Sequence, residues 1–380
     1  MKILLTRGKT KRSFKINQNG FTLVQIMVSL TISSILIAGV LQIVYSSATT
    51  NATTSELATM QETARFVIDR LTSEIRMAGY LGCADSSDSG LGVKGSPGAL
   101  SSLDYNQFLI KPPESNANAT PLIFSKTKMA DVYVTGVDGN NNAARITLAN
   151  WTNQTPITTA PVVGESLAAG SDVLIIQRAT RTGSAINDIT GAVITSPNNQ
   201  LSANDIGIVT DCFGVAMFYA SERTENTITL KATNNTSTKL QPFSNTRPPE
   251  LHRFNGYAYY IGYLNDDPSS MPVLYRADLY DPNGSKIEVA RGVENIQIEY
   301  GITSNNGNSI NYLSADAVDG LDNPVISTVR FSLVMRSAAA LNPTMTEKTY
   351  TMLQENITTN DRYMRSVFTG SAKVRNKRLI

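Results

Sequence analysis

Histidine and cysteine are nearly missing from this chain, which holds one histidine, His252, and two cysteines, Cys83 and Cys212, in 380 residues. Three such side chains cannot build a Cys/His structural zinc site, which takes four ligands. No G-x-x-x-x-G-K-[ST], G-x-S-x-G or H-E-x-x-H run occurs, so the P-loop, nucleophile-elbow and zincin readings fall away. A histidine-dependent triad would have to use His252, beside Arg253 and just after Pro248-Pro249, where a lone loop histidine is expected at the surface. The run DGNNNA (138–143) offers oxygen ligands at alternate positions, but Ala143 and Ala149 stand where a calcium loop needs glycine and glutamate. It reads as an Asn-rich hairpin turn. No catalytic residue, metal or cofactor follows from these residues, and no enzymatic activity is expected.

Acidic residues are absent from the first twenty positions, which carry Lys2, Arg7, Lys9, Lys11, Arg12 and Lys15. Without those six, 27 basic residues face 31 acidic ones, so the body carries about −4 although the whole chain is +2. The mildly basic balance therefore belongs to the tail and gives no support for nucleic-acid binding by the body. A second basic concentration lies near the other end, at Arg362, Arg365, Lys373, Arg375, Lys377 and Arg378. Val367, Phe368 and Val374 are interleaved with it, which suits a terminal strand with a solvated face better than a DNA-contacting patch.

Charge of either sign is missing from Phe21 to Val44. These 24 residues would span about 36 Å as a helix, enough for a hydrocarbon core of about 30 Å. The preceding lysines and arginines predict a cytoplasmic N-terminus and an outward-facing body. Three readings fit this segment. A secretory signal peptide has small residues at Ser46-Ser47-Ala48 for cleavage, but its apolar run is normally shorter. A plain single-span anchor satisfies the hydropathy. The third reading rests on the abrupt start, where Asn17-Gln18-Asn19-Gly20 gives way at once to Phe21.

The periodicity predicts that the helix continues past the membrane. Leu57, Met60, Ala64, Val67, Leu71, Ile75 and Ala78 recur at three- and four-residue spacing and form one apolar stripe, with Glu62, Arg65, Asp69 and Arg70 off it. Gly79 is the expected stop. The Ser/Thr/Asn/Ala run 46–55 is weakly helical and leaves room for a local loosening. Beyond Cys83, short runs rich in Val, Ile, Thr and Tyr predict strands at 131–136, 144–149, 172–178, 227–232, 257–264, 273–280, 295–300 and 327–336. Turn signals at Asp138-Gly139, Pro197-Asn198, Asp281-Pro282-Asn283-Gly284 and Asn306-Gly307 separate them. The long polar stretches 85–120 and 233–250 are expected as exposed loops or insertions. The expected fold is α+β: a long helix, lipid-facing in its first half and amphipathic in its second, packed on a large β-rich head.

If the body is exported, the economical reading of Cys83 and Cys212 is one disulfide closing a long loop, worth roughly 3–5 kcal/mol if unstrained. The alternative is two separate buried thiols.

The basic leader, Gly20, Phe21, Thr22-Leu23-Val24 and the uninterrupted span resemble the class III signal of type IV pilins. The resemblance continues in QETARFVIDRLTSEIRMAGYLGC (61–83), SDVLIIQRAT (171–180), VTDCFGVAMF (209–218), VLYRADL (273–279), GVENIQIEYGI (292–302) and DRYMRSVFTGSAKVRNK (361–377), which are similar to the PilW family of minor pilins. About 85–165 is not covered. The family implies cleavage between Gly20 and Phe21 by a prepilin peptidase and N-methylation of Phe21. That divides the chain into a leader (1–20), a long helix (21–80) with an assembly segment (21–44), and a head (81–380). It also implies a single-pass inner-membrane protein with a periplasmic head, later extracted into a fibre. Expected partners are other minor pilins, the major pilin, a tip adhesin and the inner-membrane assembly platform, with nucleic acid not expected. Related larger pseudopilins of type II secretion systems are the competing class, and a membrane-anchored periplasmic binding protein or enzyme the third. The departure is Gln25, fifth after the cleavage point, where type IV pilins usually carry a glutamate that pairs with a neighbour's N-terminus. An amide there keeps a polar handle at lower desolvation cost but loses the ion pair.

Overall fold

The computed structural model describes residues 22–82, the backbone of two short strands, Gln107–Phe108 and Val134–Val137, and most of 168–376. It begins with one α-helix, α1, Leu23–Met77, of 55 residues. The chain divides into two compact units at Ser55/Glu56, inside that helix. The helix shows no break at 46–55, where the sequence left room for one. Instead, Thr49, Thr50, Thr53 and Thr54 turn their hydroxyls back onto carbonyls three or four residues earlier, at 2.8–3.1 Å. This back-bonding gives each hydroxyl a partner on the helix itself and lets a run of poor helix formers remain helical.

The helix ends where Gly79 takes φ 74°, a left-handed conformation that glycine adopts without steric cost. Its N–H then donates to the Gln177 carbonyl at 2.9 Å, and Ala179 N–H donates to the Tyr80 carbonyl at 2.7 Å, so the helix exit runs onto the strand Val173–Ala179. Asn376 supplies a second tie, its amide donating to the Ala78 carbonyl at 3.2 Å.

The β-rich head is built of four sheets among the described residues, of nine, four, four and two strands. The longest strand, Glu250–Tyr263, organises the first sheet by pairing antiparallel with Val173–Ala179, Ser184–Ala185, Ile206–Thr210 and Pro272–Asp278. Val173–Ala179 is buried almost throughout, as a strand covered on both faces must be. Alternation divides this sheet's side chains between two cores. Ile208 and Met217 enter the core shared with the helix, while Val209 and Phe218 enter a second core against the small sheet that holds Ile194 and Ile228. The C-terminal sheet runs Ile310–Leu313, Val293–Thr303, Ile326–Arg336, Arg365–Lys373, all antiparallel. Ile296, Ile298, Tyr300, Phe331 and Leu333 join the helix-side core, and Val334 faces the other way, against Tyr350 and Met352 of the hairpin Thr346–Met352/Glu355–Asp361.

Six of the seven stripe residues, from Met60 to Ala78, are buried in the shared core, with Leu57 half-buried at its margin. Burying Val67, Leu71 or Ile75 stabilises this packing by roughly 1.5–3 kcal/mol each before the cost of ordering the chain. The strands expected at 172–178, 257–264, 273–280, 295–300 and 327–336 are present; that at 144–149 lies outside the described residues.

Candidate assembly segment and its anchorage

Every large apolar side chain from Leu23 to Tyr45 is at least half exposed. One stretch of this helix has mean hydropathy 2.2 over 18 residues and none of it is buried, so by length and composition it is able to cross a membrane. Such a surface is stable only in lipid or against other apolar helices. Three of its hydroxyls are bonded within the helix: Ser29 donates to the Gln25 carbonyl at 2.7 Å, Thr31 to the Val28 carbonyl at 2.8 Å and Ser34 to the Thr31 carbonyl at 2.8 Å. A polar atom bonded within its own helix enters an apolar medium at little cost.

Gln25 has a local task that the sequence reading missed. Thr22 N–H donates to Gln25 Oε1 at 3.1 Å, and Gln25 N–H donates to Thr22 Oγ1 at 3.3 Å. This reciprocal pair is a capping box of the T-x-x-Q type, which satisfies two of the orphan donors at a helix start. The signal was present in Thr22-Leu23-Val24-Gln25. A glutamate would cap equally well, so the cap accounts for a polar residue here and not for its lack of charge. Gly20 and Phe21 lie outside the described residues.

In the head unit the stripe carries an unforeseen charge. Glu74 is 6% exposed and lies between Leu71 and Ile75. Its carboxylate accepts from Arg178 Nε at 2.9 Å and stands 3.4 Å from Arg70. Tyr259 lies in the same group, and burial pushes its hydroxyl up to about 12, with Glu74 adding to the effect and Arg70 opposing it. Arg178 and Arg276 sit 5.7 and 4.3 Å from the centroid of the Tyr257 ring.

His252 is not at the surface. It lies on the strand Glu250–Tyr263, 1% exposed, because the strand's pairing turns it inward against Gly82 and Gly183. Its Nδ1 is 2.9 Å from the Thr180 carbonyl, its Nε2 is 3.3 Å from a Glu250 oxygen, and its ring meets Tyr80 edge-on. These neighbours hold a packed, hydrogen-bonded ring. Cys83 and Cys212 lie outside the described residues, as do Asp138 to Ala143.

The C-terminal basic cluster is also rearranged by the fold. Arg365 is the most buried of its described members, with its side chain 2% exposed, and its guanidinium binds Glu294 and Asp361. The Arg365 hydrogen bonds hold the Asp361 carboxyl below its ordinary value. Burial opposes the charge on Arg365, yet the two carboxylates together push its guanidinium up. Arg336 approaches the same Glu294 at 3.6 Å. The cluster thus sends one of its arginines inward to be neutralised, while Lys373 and Arg375 stay exposed; Lys377 and Arg378 are outside the described residues. Among the described residues no group of His, Cys, Asp and Glu is placed to hold a metal ion.

Comparison with known protein families matches two regions of the chain. Residues 15–41 match the prokaryotic N-terminal methylation motif, and residues 258–376 match the type IV pilus-assembly protein W family. Neither a curated protein nor a solved structure matches the chain. The first match covers the helix cap and most of the apolar segment; the second begins within the strand Glu250–Tyr263 and covers the C-terminal sheet and the Arg365 ion cluster. A methylation motif opening an exposed apolar helix, ahead of a β-rich head with a type IV pilus-assembly protein W region, makes this chain similar to type IV pilus-related pilins.

Proposed function

We propose that this pilin is cut between Gly20 and Phe21, methylated on Phe21, and works as a structural and priming subunit at or near the tip of a type IV pilus. The observation that carries the reading is the exposed, capped apolar helix within the methylation motif, on the same chain as a PilW-type head. Before assembly the segment 21–44 sits in the inner membrane as a single span with the head outside; in the fibre it exchanges lipid for neighbouring helices. Prepilin peptidase, other minor pilins, the major pilin, a tip adhesin and the assembly platform are the partners this role requires. The neutral Gln25 fits a tip position, because the outermost subunit has no neighbour above whose N-terminus needs a counter-charge. Support for twitching, adhesion and DNA uptake would follow from the fibre, and Arg365, turned inward, adds nothing to a DNA-binding face.

Mass spectrometry of the mature protein tests the processing. An N-methylated Phe21 is expected, while a start at Thr49 or an intact Met1 sinks the proposal. Replacing Gly20 with a bulky residue should leave the unprocessed form. Deleting the gene should abolish surface fibres and twitching; loss of exoprotein release with fibres intact would instead assign the chain to a secretion pseudopilus.

A further inference from the structure

The hairpin Thr346–Met352/Glu355–Asp361 has two unlike ends on one face. Alternation puts Thr346, Lys348, Tyr350 and Met352 on a common side, across from Asp361, Thr359 and Ile357 of the return strand. At one end Tyr350, Met352 and Ile357 pack against Val334 and Val367. At the other end the same face lines a cavity of about 380 Å³, with Thr346, Lys348, Thr359 and Asp361 on the hairpin and Asn342, Thr344, Tyr363 and Arg365 on the segments beside it. That volume falls within the size range of small-molecule sites. Apart from the two tyrosines, Pro343 and Met364 are the only apolar residues in its lining.

We propose that this cavity binds a sugar residue of a glycan. Three observations select that chemistry. First, the charge on the wall is already neutralised. Asp361 accepts two bonds from Arg365, at 2.7 and 2.6 Å, and Arg365 and Arg336 share Glu294, so two carboxylates face two guanidiniums. Both Asp361 oxygens are taken, which leaves this wall unsuited to a metal ion or a cationic ligand. Second, uncharged hydrogen-bonding groups remain open. The Tyr363, Thr344 and Thr359 hydroxyls make no hydrogen bond with the described residues, and each both donates and accepts. Third, two aromatic rings stand among them. Lys348 Nζ lies 5.2 Å from the centroid of the Tyr350 ring, and Arg336 lies 4.5 Å from that of Tyr363 and holds it in place. A sugar ring matches this set, because its hydroxyls donate and accept around its edge while its C–H face packs on an aromatic ring. An apolar ligand would leave the open hydroxyls unpaired.

The test applies the full-length protein in detergent to immobilised glucose, galactose, N-acetylglucosamine, sialic acid and glucuronic acid, with each free sugar as competitor. Binding to at least one of them, displaced by the same free sugar, is expected. Tyr363→Phe and Thr359→Val each remove one hydroxyl from the wall and should weaken that binding about tenfold. Thr349→Val, an exposed position on the opposite face of the hairpin, should leave it unchanged. Thermal midpoints of the three variants within about 2 °C of the parent separate lost binding from lost folding. Absence of binding to every sugar at millimolar concentration overturns the proposal, and so does a parent-like affinity in both Tyr363→Phe and Thr359→Val. The cavity lies wholly in the head, so this outcome is independent of processing at Gly20 and Phe21 and leaves the pilin reading where it stands.

Discussion

Glu74 Oε2 lies 2.9 Å from Arg178 Nε inside the interface between the helix and the large sheet. A carboxylate in that position is tolerable only because two guanidiniums flank it. Its consequence is a polar tie between the helix and the strand Val173–Ala179, to which Arg178 belongs. Glu74→Ala should therefore cost roughly 3–5 kcal/mol of unfolding free energy, largely because Arg178 is left unpaired. The double variant Glu74→Leu/Arg178→Met should recover most of that loss. Equal losses for the single and double variants in denaturant titration would refute the pairing.

The Thr22–Gln25 cap gives a second expectation. Thr22→Ala or Gln25→Ala should loosen the first helical turn by about 0.5–2 kcal/mol, read as faster amide exchange at Val24 and Gln25 in detergent. Gln25→Glu should leave exchange unchanged, because its carboxylate accepts the same Thr22 N–H. Any change that Gln25→Glu makes in fibre yield then reports on charge alone; a marked rise would mean that the neutral residue is a defect rather than an adaptation to the tip.

Gly370 lies on the C-terminal strand Arg365–Lys373, where its missing side chain leaves room for Phe331 and Ile68 of the helix. A Cβ there would stand 2.5 Å from Phe331 Cζ and 3.2 Å from Ile68 Cγ2. Gly370→Val should therefore destabilise the head by about 1–3 kcal/mol or more, through a forced shift of Phe331. A thermal midpoint equal to the parent's would show that this contact has slack.

Acid should loosen the Arg365 cluster only below the range in which ordinary carboxylates titrate. The Asp361 carboxyl titrates below its ordinary value of 3.8 when folded, chiefly because Arg365 donates to it. Its stabilising contribution is complete above the unfolded pKa near 4 and is lost as pH falls through the lower folded value. Asp361→Asn should lower stability at pH 7 and flatten the acid limb of the stability profile below about pH 4. An unchanged acid limb would show that other carboxylates dominate it.

The expected bridge between Cys83 and Cys212 is open to a direct test. A Cβ on Gly82 would stand 2.5 Å from Thr210 Cγ2, and Cys83 and Cys212 follow these residues by one and two positions. The exported protein should show no free thiol when denatured without reductant and two after reduction. Replacing both cysteines by serine should cost roughly 3–5 kcal/mol. Two free thiols in the unreduced protein would rule the bridge out.

The sequence by itself determined the features that depend on local pattern. An uncharged run after Gly20, a stripe from Leu57 to Ala78 and a stopping glycine at 79 dictate a membrane-length helix continued by an amphipathic one, since both follow from residue spacing along a single element. The stronger strands were legible for the same reason, and so was the T-x-x-Q cap, had it been read as one. Tertiary structure alone decided the fate of the charged and lone polar residues. Glu74 looks like one more surface carboxylate until Arg178, over a hundred residues later, is brought beside it. His252 follows two prolines in what reads as a loop, yet pairing with Ile206–Thr210 makes it interior. Arg365 counts toward a basic tail until Glu294 and Asp361 close around it. A charge is buried only where distant strands deliver its partner, and no spacing within the chain records that delivery. Position 25 shares both characters: spacing determines its cap, while its lack of charge acquires meaning only from the subunit that packs against it.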